Sequence, residues 1–162
     1  MQPDRIDISI VSELASNARA SHVRLAERVG LSSTAIARRQ KTLEDEGFIL
    51  GYQAVLDLDR FGLSTTVVVT ISLESQSEEA LESFEAAVVK CPSVVRCFLM
   101  SGTDDYILTV LARDIRDFER IHKTELSRLP RVARIQSSFA LREVVNRSLP
   151  PALFGAHSAK VR

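Results

Sequence analysis

Arg38, Arg39 and Lys41 sit in the middle of the stretch "LSSTAIARRQKTLEDEG", Leu31–Gly47, with Ser32, Ser33 and Thr34 before them and Glu44, Asp45 and Glu46 after them. Guanidinium, ammonium and hydroxyl groups crowded on one helix are the chemistry of phosphate and base-edge contacts. The charge order runs against the helix dipole, which favours acids at the N-terminal end and bases at the C-terminal end. The sacrifice is small, roughly 0.3–1 kcal/mol per charge. A helix entering the major groove with its N-terminal part leading accounts for it. Thr34, Arg38 and Lys41, spaced four and three apart, share one face, with Arg39 beside them. Ser32, Ser33 and Thr34 then meet phosphates or base edges, Arg38 and Arg39 reach guanine edges or the backbone, and Lys41 reaches the backbone. Ile36, Gln40 and Leu43 face inward. A solvated, salt-bridged helix with pairs such as Lys41–Asp45 is the plainer alternative.

A second group lies in "SGTDDYIL". Gly102 suits a tight turn, whose N–H groups can hold a carboxylate, while Asp104 or Asp105 can hold an ammonium. An amino acid carries both groups. The competing reading is an ordinary hairpin, with the Asp side chains capping backbone groups and Tyr106 opening a strand.

The elements that must position these groups follow from periodicity. Ile6, Ile10 and Leu14, with Val11, recur at helical spacing behind Asp4 as a cap. Ser21 caps a second helix with Val23, Leu25, Ala26 and Val29 inward and Gly30 as its stop. Ser32 caps the third, which ends at Gly47. Two helices joined at "VGLS" are a helix-turn-helix signal. "FILGYQAVLDL" alternates as a strand. Beyond it come a β-branched strand near 65–75 and a helix from Ser77 to Lys90 bearing Leu81, Phe84 and Val88. Strands near 94–100 and 105–112 follow. Next is a helix capped by Asp114 with Ile115, Phe118, Ile121 and Leu126 inward, and a strand over 132–144. The tail "NRSLPPALFGAHSAKVR" has little periodicity and reads as loosely ordered. The fold class is α+β, with three helices preceding a ferredoxin-like β-α-β-β-α-β half. Helices cover one face of such a sheet, and a second copy is the simplest cover for the other. Residues 1–60 form a DNA-binding domain, 61–145 an oligomerisation domain, and 146–162 a tail.

The 162 residues are 45% hydrophobic and carry 21 basic against 21 acidic side chains, so a packed core is expected and indiscriminate coating of nucleic acid is not. The first 50 residues also balance, seven against seven. Non-specific DNA affinity should therefore be modest and salt-sensitive. No apolar run spans a membrane and no signal peptide is legible, and Cys91 and Cys97 read as small buried residues, which fits a cytoplasmic home. There is no phosphate loop, nucleophile elbow or HExxH pair, and no acid, base and nucleophile converge. No enzyme activity, cofactor or metal is expected. His122 between Glu119 and Glu125 is explained by solvated charges.

"LAERVGLSSTAIARRQKTLEDEGFILGY" resembles the winged helix-turn-helix of the leucine-responsive/asparagine regulator (Lrp/AsnC) family. "SGTDDYIL" resembles that family's Gly-x-x-Asp-Tyr turn, and "LSRLPRVARIQSSFALREVV" its final helix and strand. The resemblance covers about residues 4–145. It implies a transcriptional regulator that binds double-stranded DNA and responds to a small effector, typically an amino acid. It also implies a homodimer that assembles further, often to four dimers, with effectors between dimers. Carried over by position, Gly102, Asp104, Asp105 and Tyr106 match the effector turn and Ser137 a hydroxyl of the last strand. Ile135 departs from the neighbouring hydroxyl position, and Thr103 stands where some members carry an acid or an aromatic residue. The rival reading is an architectural DNA binder without an effector response.

Overall fold

The computed structural model describes residues 2–147, 149 and 150. They divide into two compact units, one running up to Val55 and including the described residues after Val145, the other spanning Leu56–Val145. Within the first unit, α1 (Arg5–Ser16) starts at a capping box. The Asp4 side chain accepts from the Ile6 and Asp7 N–H groups, and the Asp7 side chain accepts from the Asp4 N–H. Helix α2 (His22–Val29) is capped by Ser21 and stopped by Gly30 at φ +76°, the left-handed region that glycine enters without a Cβ clash. Helix α3 (Ser33–Asp45) is capped by Ser32. Ile10, Leu14, Leu25, Ala26, Ile36 and Leu43 close a core among the three helices.

Two expectations for this unit change. Val23 is 59% exposed. It lies two residues before Leu25, about 160° round the helix at 3.6 residues per turn, and so points away from the core. "FILGYQAVLDL" forms no strand among the described residues. A strand needs a partner for its N–H and C=O groups, and no other extended segment pairs with this one. Leu50 and Val55 are accordingly 96% and 95% exposed.

The second unit is a four-stranded sheet, β1 (Thr65–Leu73), β2 (Val94–Leu99), β3 (Tyr106–Ala112) and β4 (Val132–Phe139), in the order β2-β3-β1-β4 with every neighbouring pair antiparallel. Helices α4 (Glu78–Val88) and α5 (Ile115–Thr124) complete the β-α-β-β-α-β order. Alternation divides the strands cleanly. Val67, Val69, Ile71 and Leu73 on β1, and Leu108, Val110 and Ala112 on β3, are buried with Phe84, Phe118, Ile121 and Leu126. The other face carries Thr66, Val68, Thr70, Ile107, Thr109 and Leu111, with Phe98 exposed beside Ile107. That face is a mixture of hydroxyl and aliphatic groups, less apolar than its Val and Ile content suggests.

Strand β4 ends at Phe139 instead of continuing to 144, because its partner runs out: Phe139 pairs with Val67, and Ala140 donates one last bond to the Thr66 carbonyl. Ile115 is 69% exposed at the first position of α5, although it lies three residues before the buried Phe118. Cys91 and Cys97 are free, half-buried thiols packed against the core, and burial raises both above the usual thiol range. The reading of the tail as loosely ordered concerns residues of which 148 and 151–162 lie outside the described set.

Candidate DNA-recognition helix and effector turn

Helix α3 exposes Thr34, Arg38 and Lys41 on one face. The Ser32 hydroxyl is taken up as the cap, accepting from the Ala35 N–H at 3.2 Å. Lys41 pairs with Asp45 at 3.1 Å, both side chains mostly exposed, an arrangement that water and salt readily release. Arg38 is exposed and makes no ion pair among the described residues.

Arg39 departs from its expected place beside Arg38. Its Nη1 donates to Asp4 Oδ2 at 2.9 Å and to Asp7 Oδ1 at 2.8 Å, both on the N-terminal turn of α1. Hydrogen bonding to Asp7, then to Asp4, holds the guanidinium above its ordinary range. The Asp4 carboxyl is lowered, chiefly by the Asp7 N–H and also by Arg39. The signal for this was present in the spacing. Arg39 is three residues after Ile36 and four before Leu43, which puts it on the edge of the buried stripe.

The acids at the end of α3 also have a task. Tyr52 Oη donates to Glu44 at 2.7 Å and accepts from Gln40 Nε2 at 2.9 Å. Desolvation, reinforced by Glu44, pushes the Tyr52 hydroxyl up to about 12. The Tyr52 hydrogen bond in turn lowers the Glu44 carboxyl. The segment after α3 is thus fastened to the helix by polar bonds, where a strand ladder was expected. Gln40 Oε1 is buried without a partner among the described residues.

In the second unit the turn before β3 splits its two acids. Asp105 is buried. Its Oδ2 accepts from the Leu73 N–H and its Oδ1 from Gln76 Nε2, both at 2.7 Å, while its own N–H donates to the Ile71 carbonyl at 2.9 Å. Tyr106 is buried too. Its ring lies 4.4 Å from that of Phe84, and its hydroxyl donates to Glu85 at 2.9 Å. Desolvation, with Glu85 adding to it, raises that hydroxyl well above the usual phenol range. Asp104 faces outward, accepting at Oδ1 from Ser72 Oγ at 2.9 Å and from Arg134 Nη2 at 2.8 Å. Gly102 is exposed, its φ lies outside the left-handed region, and a Cβ there would meet nothing within 4 Å. Neither conformation nor crowding demands glycine at that position.

Ser137 is half-buried opposite Val69, on the face that carries the helices. Arg134 pairs with Ser72 three positions earlier and so points to the other face with Asp104. One chain therefore brings Asp104, Ser72 and Arg134 together but leaves Ser137 on the opposite side of the sheet. Arg134, Ser72 and Gln76 were not singled out in the sequence, where nothing short of strand register identifies them. Among the described residues no group of three His, Cys, Asp or Glu side chains is placed to hold a metal ion. Glu125, near His122 in sequence, instead accepts from the Ser93 N–H and hydroxyl.

A three-helix unit presenting a basic helix face, joined in one chain to an antiparallel βαββαβ unit, defines the class of a DNA-binding regulator with a separate ligand domain. Residues 3–49 match the winged helix-turn-helix DNA-binding family model, and residues 66–150 match the Lrp/AsnC ligand binding domain. The chain belongs to the Lrp/AsnC family of transcriptional regulators. It is 43% identical to the Bkd operon transcriptional regulator of Pseudomonas aeruginosa, over 91% of this chain and 97% of that protein. It is 40% identical to the proline dehydrogenase transcriptional activator of Rhodobacter capsulatus, over 91% and 96%. A transcriptional regulator from Neisseria meningitidis, solved as an L-Met complex, superposes with a TM-score of 0.85 at 35% identity, covering 92% of this chain and 97% of that one.

Proposed function

We propose that this regulator reads DNA with the exposed face of α3 and senses an amino acid at the turn before β3. The observation that carries the first part is the face formed by Thr34, Arg38 and Lys41, whose one ion pair is solvent-exposed and readily exchanged for a phosphate. Ser32 and Ser33 stand at its leading end. Arg38→Ala is expected to weaken binding to a duplex selected by the wild-type protein by about 1–3 kcal/mol, roughly 5- to 150-fold. Fluorescence anisotropy at physiological salt measures this, and unchanged affinity removes Arg38 from the interface.

The second part is supported by the outward Asp104–Arg134 pair, which offers a carboxylate to an ammonium and a guanidinium to a carboxylate. The open space beside Gly102 leaves room for the approach. The relative solved with L-Met agrees with an amino acid as effector. Because Ser137 and Asp104 lie on opposite faces, an effector touching both takes them from two copies of the chain, and a homodimer assembling to four dimers provides such sites. In this reading the protein works in the cytoplasm and performs no catalysis. Among the described residues no helix is long and apolar enough to cross a membrane.

A thermal-shift series with the twenty amino acids is expected to single out one or a few, with about 2.7 kcal/mol of stabilisation at a hundredfold excess over the dissociation constant. Asp104→Ala is expected to abolish that response while leaving ligand-free DNA binding near normal. Sedimentation with and without the same ligand reports whether it shifts assembly, as allostery requires. If no amino acid binds at millimolar concentration, the sensing proposal fails and an architectural role replaces it.

A further inference from the structure

We infer that Arg39 is a positioning residue for DNA reading, bolting the recognition helix to the start of α1 through Asp4 and Asp7. Three observations converge on this role. The guanidinium Nη1 is shared between Asp4 Oδ2 and Asp7 Oδ1 at 2.9 and 2.8 Å. The Asp7 side chain is only 5% exposed and that of Arg39 30%, so water screens the contact far less than it screens Lys41–Asp45. The same two carboxylates build the α1 capping box, with Asp7 accepting from the Asp4 N–H at 3.0 Å and Asp4 from the Ile6 and Asp7 N–H groups at 2.8 and 2.9 Å. Cap and clamp therefore share their two carboxylates, and a shift of α3 along its axis breaks the Arg39 contacts to both.

The clamp also has an electrostatic consequence for the reading face. Asp7, Arg38, Arg39 and Thr42 line one hollow of about 240 Å³, which places a buried carboxylate next to the exposed Arg38. Left alone, the two acids would repel an approaching phosphate and draw Arg38 away from it. The Arg39 guanidinium answers them locally and leaves Arg38 free to point outward. Arg39 thus acts through Arg38 and through the angle of α3, without touching DNA itself.

The test uses the full-length protein and a duplex that the wild type selects from a random-sequence pool. Affinity is followed across a salt series, at a temperature where circular dichroism shows every variant folded. Arg39→Gln is expected to weaken binding about tenfold, a coupling of ordinary size for neighbouring charges. Its slope of log affinity against log salt should equal that of the wild type, because no phosphate contact is lost. Adding Asp7→Asn to Arg39→Gln should restore binding to within about threefold of wild type, since a neutral amide pair then replaces the stranded carboxylate. Arg39→Lys keeps the charge without the planar fork and should also stay within about threefold.

A salt slope shallower by about one unit in Arg39→Gln, with additive losses in the double variant, makes Arg39 a direct phosphate contact and overturns the inference. Unchanged affinity in Arg39→Gln overturns it as well. Should Arg39→Gln fail to fold, Arg39→Lys decides. Tenfold or greater loss of discrimination between the selected duplex and a scrambled one places Arg39 on a base edge, about the size of a lost bidentate contact. Retained discrimination supports the clamp.

Discussion

Phe84→Ala is expected to cost the second unit about 3–5 kcal/mol, the range for emptying a buried aromatic site. Phe84 is fully buried on α4 and stacks on Tyr106, whose own hydroxyl is tied to Glu85 one residue further along the same helix. The ring contact adds to the area term, on the order of 0.5–1.5 kcal/mol. Its neighbours are poorly placed to refill the gap. Val69, Ile71 and Leu108 belong to paired strands, and their backbones are held by ladder bonds on both sides. For a unit of this size each kcal/mol lowers the melting temperature by roughly 4–8 °C, so a fall of at least about 12 °C should appear in calorimetry. Phe84 belongs to the sheet unit's core and to none of the contacts among α1, α2 and α3. A transition belonging to the helical unit should therefore stay where it is. A shift of only a few degrees would mean that the core collapses around the cavity.

The second large effect separates two adjacent carboxylates. Asp105→Ala is expected to destabilise the same unit by about 2–4 kcal/mol, because it strands the buried Leu73 N–H and the Gln76 amide that now bond to its two oxygens. Asp104→Ala removes a solvent-facing contact to Ser72 and Arg134 and should cost less than about 1 kcal/mol. Urea unfolding of the two variants makes the comparison, and equal losses would contradict the inward and outward assignment. The difference bears on effector experiments. Loss of ligand response in Asp105→Ala can follow from a loosened turn, whereas the same loss in Asp104→Ala reports on the contact itself. Tyr106 belongs with Asp105 in this respect, since its ring and hydroxyl are both committed to α4.

Most of the fold was legible because its signals are local. Asp4, Ser21, Ser32 and Asp114 each accept a backbone N–H at the helix start where their residue types suggested a cap. A cap is a contact over two or three residues, so sequence proximity is enough to predict it. The alternating strands were legible for the same reason. The misplaced residues are those whose environment is set by distant chain. Val23 and Ile115 are apolar and near the right spacing, but which side of a helix is covered depends on what packs there. The stretch after α3 has the alternation of a strand, yet strand formation is a property of two segments, and no second segment pairs with it among the described residues.

The candidate sites divide along the same line. Residue types and spacing alone determined that α3 carries a basic face led by hydroxyls, and that two adjacent acids follow Gly102 in a turn between strands. Tertiary structure decided which group does what. Arg38 and Arg39 are neighbours in sequence and differ by about 100° around the helix, enough to send one to solvent and the other to two carboxylates some thirty residues earlier. Asp104 and Asp105 both lie in the turn just before β3, which sends one carboxylate to Ser72 and Arg134 and the other to the Leu73 N–H and Gln76. Arg134 meets Asp104 only because β4 pairs with β1 in the register that sets it opposite Ser72. Chemical capacity is written residue by residue, but the direction a charge faces depends on partners that only the folded chain brings within reach.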